Sequence, residues 1–100
     1  MPDQSEALDT EVLRMRSKGR AFAGISRDLG MSRPVEAQRA FQRAVRRLPE
    51  GEQDSVRQEE SARLDRLTAR VSADATKPEA DRVRRLATID RLRAWLTEER

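Results

Sequence analysis

Apolar residues recur along the chain at intervals of three and four, the spacing that gathers side chains on one face of a helix. Five such stretches predict an all-α fold. The first covers about residues 6–18, with Leu8, Val12, Leu13 and Met15 as apolar positions, Ser5 as its cap and residues 1–4 as a loose tail. Acids lie early in it (Glu6, Asp9, Glu11) and bases late (Arg14, Arg16, Lys18), the order favoured by the helix dipole. Gly19 is placed to end it in a left-handed conformation. A second helix, residues 21–29, sets Phe22, Ile25 and Leu29 at i, i+3 and i+7. Gly24 lies inside it at a cost of about 1 kcal/mol against Ala, and the pattern offers no reason for that glycine. Gly30 then supplies a sharp turn.

The third helix is expected over 34–48, between Pro34, which suits a first helical turn, and Pro49, which stops it. At 100° per residue, Ala37, Ala40, Phe41, Ala44, Val45 and Leu48 gather on one side. Arg39, Gln42, Arg43 and Arg46 fall on the other, with Val35 near the start. The small alanines allow close packing on the preceding helix. This division is the central structural expectation.

Pro49, Glu50 and Gly51 break the pattern, which places one domain at 1–49 and a second at 50–100. A fourth helix, 52–72, carries Val56, Leu64, Leu67 and Val71 on a stripe interrupted by Glu60. A fifth begins at Pro78 and reaches Trp95 or beyond, with Val83, Leu86, Ala87, Ile89, Leu92, Trp95 and Leu96 as apolar positions. Two helices of similar length and a short link predict an antiparallel hairpin, each arm on the order of 30 Å long. The pairs Glu59–Arg63 and Asp81–Arg85, spaced i,i+4, are expected as ordinary helix support.

Composition narrows the chemistry. With 36% hydrophobic and 39% charged residues the core must be thin, and chains of 100 residues often gain stability by oligomerising. Cysteine and histidine are both absent, which removes disulfides, thiolate chemistry and any imidazole base, and leaves no basis for a zinc site or an enzyme. No cofactor is implied. No run approaches the roughly 18 apolar residues of a membrane span, and the N-terminus is acidic, so a cytoplasmic (nucleoid) location is expected. Charge is more informative by segment than in total. Residues 20–49 carry seven arginines against Asp28 and Glu36, net +5, whereas 50–76 is net −3 with seven acids against four bases. A local basic patch of this kind suits a polyanion better than the whole-chain +3 suggests.

The turn Ile25-Ser26-Arg27-Asp28-Leu29-Gly30-Met31-Ser32 resembles the helix-turn-helix signature: Ser26 at the small position, Leu29 and Met31 flanking Gly30, and a serine after them. With an arginine-rich third helix and a charged hairpin behind it, the layout is similar to small phage and actinobacterial DNA-binding proteins. These include terminase small subunits, sigma-factor-like modules and short nucleoid proteins. The resemblance covers about residues 8–48, and strict spacing would put Glu36 and Arg39 where apolar residues belong, so this turn is expected to be one residue longer. It implies a non-enzymatic protein that inserts its third helix into the major groove of double-stranded DNA as a transcriptional regulator or nucleoid-associated protein. Ser32, Arg33, Val35, Gln38, Arg39 and Gln42 are then expected at base edges, since Arg can fork onto guanine and Gln onto adenine. Arg20, Arg27, Arg43, Arg46 and Arg47 are expected on phosphates. Leu64, Leu67, Val71, Leu86, Ile89, Leu92, Trp95 and Leu96 form either the mutual core of the hairpin or the interface of a homodimer, whose half-sites would lie about 10 bp apart. Two alternatives remain at this point: a terminase-small-subunit-like packaging factor that assembles into a ring, and a helical protein-interaction or RNA-associated module with an incidental basic face.

Overall fold

The computed structural model describes residues 4–98 and is all-helical there, with five helices among the described residues: α1 (Gln4–Ser17), α2 (Phe22–Asp28), α3 (Pro34–Arg46), α4 (Glu50–Ala73) and α5 (Glu79–Glu98). The chain divides into two compact units, Met1–Gln53 and Asp54–Arg100. The expected loose tail falls mostly on residues 1–3, outside the described residues. Gln4 is already helical, so Ser5 lies inside α1 rather than capping it. Gly51 is likewise inside a helix, in the first turn of α4, where Pro49 provides the carbonyl that accepts the Gln53 N–H at 3.0 Å.

In the first unit α1 and α2 both pack on α3. Val12, Ile25, Ala37, Ala40 and Val45 are fully shielded, and Met15, Phe22, Phe41 and Ala44 are nearly so. Alanine at three of these α3 positions removes the bulk that would hold the helices apart, and the aromatic rings fill what remains. Phe22 and Phe41 meet edge to face with centroids 5.5 Å apart. The Arg16 guanidinium lies 4.0 Å over the Phe22 ring, and its Nη1 donates to the Arg20 carbonyl at 3.0 Å. Arg16 is thus a buried packing residue as well as a late-helix cation.

In the second unit Leu64, Val71 and Ile89 form a buried cluster against which Leu67, Leu86, Leu92 and Leu96 are packed. Arg93 links α5 to α4: Nη1 lies 2.7 Å from Asp65 Oδ1, and Nη2 donates to Thr68 Oγ1 at 3.0 Å. The break in the α4 stripe is polar and buried, made of Arg57 and Glu60. Glu60 is 3.7 Å from Arg63, and Arg57 is 3.6 Å from Asp54. The expected i,i+4 pairs are replaced by i,i+3 pairs. Arg63 turns to Glu60 because that carboxylate is shielded and gains more from a cation than exposed Glu59, and Arg84 rather than Arg85 engages Asp81. Between the helices, Asp74 Oδ1 accepts the Thr76 N–H at 3.0 Å, and the Pro78 carbonyl accepts the N–H groups of Asp81 and Arg82.

Candidate nucleic-acid interface

The segment that carries the arginine-rich face is held by two glycine turns of one design. After α1, the Gly19 N–H donates to Arg16 O and the Arg20 N–H to Met15 O. After α2, the Gly30 N–H donates to Arg27 O and the Met31 N–H to Ser26 O at 2.8 Å. Both are Schellman caps, which need a left-handed residue at the reversal, and Gly19 and Gly30 take φ of 94° and 73°. Arg33, extended at φ −144° and ψ 152°, precedes Pro34 and opens α3 without a side-chain cap. The acid of the first turn compensates: Glu36 Oε2 accepts the Ser32 N–H at 2.8 Å, tying the turn to the helix. Five residues separate α2 from α3.

α3 divides as its periodicity requires. Ala37, Ala40, Phe41, Ala44 and Val45 are buried and Leu48 is partly so, whereas Arg39, Arg43 and Arg46 are exposed and Val35, Gln38 and Gln42 half-buried at the margin. At the end of the helix, Gln53 Nε2 donates to Leu48 O at 2.8 Å and to Arg46 O at 3.2 Å, closing carbonyls that the last turn leaves open.

The arginines of this region do not behave alike. Arg33, Arg39 and Arg27 are exposed and make no ion pair among the described residues. Arg43 and Arg47, expected on phosphates, instead engage Asp9 of α1. Arg43 Nε donates to Oδ2 and Nη2 to Oδ1, both at 2.9 Å, and Arg47 Nη1 donates to Oδ2 at 2.9 Å. Arg47 Nε also lies 3.7 Å from Glu6. The physical reason is burial. The Asp9 side chain is 0% exposed while those of Arg43 and Arg47 remain 48% and 42% exposed, so the carboxylate needs the cations more than they need it. Burial alone pushes the Asp9 carboxyl up, but the hydrogen bonds and charges of the two guanidinium groups outweigh it and hold the group below the usual carboxylate range. The same contact, with opposite sign, raises Arg43.

Arg20 is committed to Asp28, with Nη2 2.5 Å from Oδ2. Its path runs beside Gly24: a Cβ there would stand 3.2 Å from Arg20 Nη2, a contact that the flexible guanidinium tip can relieve by moving. Asp9 itself was hidden in the sequence by its charge. It stands three residues before Val12 and seven before Arg16, on the buried face of α1, and an acid at an apolar-periodic position is the signal that could have revealed it.

The residues nominated for a dimer interface are occupied within their own unit. Leu64, Val71, Ile89 and Trp95 are buried, and Leu67, Leu86, Leu92 and Leu96 pack partly buried against the cluster. The core reading of that apolar set, rather than the interface reading, is the one the burial supports. Among the described residues no helix is long and apolar enough to cross a membrane, and no group of three or more potential ligands could hold a metal ion. Comparison with family models, curated proteins and solved structures finds no match to this chain.

Proposed function

We propose that α2, its turn and α3 form a helix-turn-helix that binds double-stranded DNA without catalysis, as a transcriptional regulator or nucleoid-associated protein, and that α4 and α5 form an antiparallel hairpin. The observation that carries this reading is the split of α3. Its inner face is fixed by two helices, while Arg33 and Arg39 stand outward without an acidic partner among the described residues, beside Gln38 and Gln42. A helix of 13 residues is roughly 20 Å long, and a major groove about 12 Å wide admits it. Arg39 is the guanine reader of this arrangement and Gln38 and Gln42 the adenine readers, with Ser32, Arg33 and Val35 at the helix entrance. Arg27 and Arg46 contact phosphates.

Selection of bound fragments from random duplex DNA, followed by titration of variants, tests this. Arg39→Ala is expected to cost about 1–3 kcal/mol on the preferred sequence and to relax base choice at one position, while Arg46→Ala weakens all sequences alike. Equal, small effects of both variants on preferred and scrambled duplexes, or no retention of duplex at low salt, would remove the proposal.

A further inference from the structure

We infer that Asp9 is a specificity determinant of the proposed interface: a buried carboxylate on α1 that withdraws Arg43 and Arg47, two cations blind to base sequence, from the phosphate contacts of α3. The inference rests on the DNA-binding reading and assigns a role within it to a residue on a different helix. Phosphate contacts raise affinity for every sequence equally, so each one removed increases the share of binding that depends on base edges. Arg43 uses Nε and Nη2, one full edge of its fork, on Asp9, and Arg47 places Nη1 on the same carboxylate with Nε towards Glu6. Two guanidinium groups thus face two carboxylates, which leaves this end of the α3 surface, with Arg46, at about one net positive charge rather than three. Arg39 and Arg33, toward the other end, make no ion pair among the described residues, the Glu36 carboxylate between them being bound to the Ser32 N–H.

Packing alone does not explain the acid. Asp9 is fully shielded on the face of α1 that also carries buried Val12 and Met15, a place where an apolar side chain would serve the core without the cost of desolvating a charge. Both arginines keep close to half of their side-chain surface in solvent, so they can reach an external anion once the carboxylate is gone, without unfolding of α1 or α3.

Asp9→Asn preserves shape while replacing one acceptor oxygen with a donor that opposes a guanidinium. The full chain and this variant are compared by elution from immobilised heparin, by titration of a preferred and a scrambled duplex across salt, and by thermal melting to establish that both are folded. Asp9→Asn is expected to elute from heparin at higher salt. Its log K against log salt should steepen by about 0.9 to 1.8, one step for each arginine released. Between 50 and 200 mM salt that is an additional loss of roughly 3- to 12-fold in affinity. Scrambled DNA should gain more than preferred DNA, so the specificity ratio falls, and adding Arg43→Gln and Arg47→Gln should return the slope to that of the parent. A folded Asp9→Asn protein with unchanged slope and unchanged heparin elution overturns the inference. Later heparin elution with no duplex binding by either protein overturns the DNA reading, and with it the specificity role, but leaves the withdrawal of two cations standing. Should Asp9→Asn fail to fold, Glu6→Gln loosens Arg47 while leaving Arg43 on Asp9 and is expected to steepen the slope by up to about 0.9; no change there overturns the assignment for Arg47.

Discussion

Breaking the Asp9 cluster from its two sides should have unequal consequences. Asp9→Asn leaves two guanidinium groups that are already 48% and 42% exposed and can rehydrate. Three charge-assisted bonds of 2.9 Å are weakened. Each such bond is worth about 1.5–3 kcal/mol when shielded, but solvent around the arginines cuts that by half or more. Because Asn keeps one of the two acceptor oxygens, roughly half of the remaining 2–4 kcal/mol survives, and a total loss of about 1–2 kcal/mol is expected. Arg43→Met with Arg47→Met keeps the packing of the stems and strands the carboxylate at 0% exposure. An uncompensated buried charge costs about 3–5 kcal/mol, partly relieved by protonation. The double arginine variant should therefore be the less stable of the two at pH 7, despite retaining the acid.

The assay is urea denaturation followed by far-UV circular dichroism, repeated at pH 7 and near pH 3. Acid supplies an internal control: once the stranded carboxyl is protonated, the penalty for burying its charge disappears and the two variants should converge. Combining Asp9→Leu with both methionine changes should restore stability to within about 1 kcal/mol of the parent, since a buried ion cluster and a well-packed apolar one are often equivalent. If the double arginine variant matched or exceeded Asp9→Asn at neutral pH, the argument that the carboxylate is the dependent partner would be wrong.

Three further outcomes follow from the same geometry. Because the folded-state pKa of Asp9 is held below its ordinary value of 3.8, its contribution to stability is complete above that value and lost as pH falls through the folded-state value. Stability of the parent should therefore decline below about pH 4 more steeply than that of Asp9→Asn, and parallel acid limbs in pH-dependent melts would contradict this. The two glycines flanking Arg27 should respond oppositely to alanine. Gly30→Ala, at φ 73°, should cost about 1–2 kcal/mol, whereas Gly24→Ala should be slightly stabilising, its gain of up to about 1 kcal/mol offset by moving the flexible Arg20 tip; equal losses on melting would refute the assignment. Leu64→Ala, at a fully buried position of the second unit, should cost about 2–5 kcal/mol. That loss should be independent of protein concentration, because Leu64 packs within its own chain.

The parts of this structure that could be read from sequence are those fixed by neighbours a few residues away. Helical period placed Phe41 and its alanines inward and Arg39 outward, and Gly19 and Gly30 announced their turns because only glycine takes a left-handed reversal without strain. Helix ends shifted by one or two residues, since Ser5 and Gly51 tolerate the first turn as well as a cap. What stayed hidden depends on how side chains travel. Asp9 meets Arg43 and Arg47 across 34 and 38 residues, a pairing decided by how α1 packs on α3 rather than by any local spacing. The closeness of Gly24 to the Arg20 guanidinium likewise depends on the route of a side chain. Glu60 and Arg57 interrupt an apolar stripe yet remain buried, because their long stems pack while their charged ends find Arg63 and Asp54.

Counting cations therefore overstates the charge available to the proposed interface. Of the seven arginines between residues 20 and 49, Arg20, Arg43 and Arg47 face Asp28, Asp9 and Glu6. The net +5 of that segment includes Asp28 but omits the two acids of α1, and adding Asp9 and Glu6 lowers it to +3. The remainder is not spread evenly, because Arg33 and Arg39 belong to the first half of α3 and the neutralised pair to its end. Near the turn the positive end of the helix dipole adds to Arg33 and Arg39 and is opposed by the Glu36 carboxylate, which accepts the Ser32 N–H. The acids of α1 thereby occupy two of the arginines that the sequence of this segment sets along its outer face, a pairing that its own composition does not reveal.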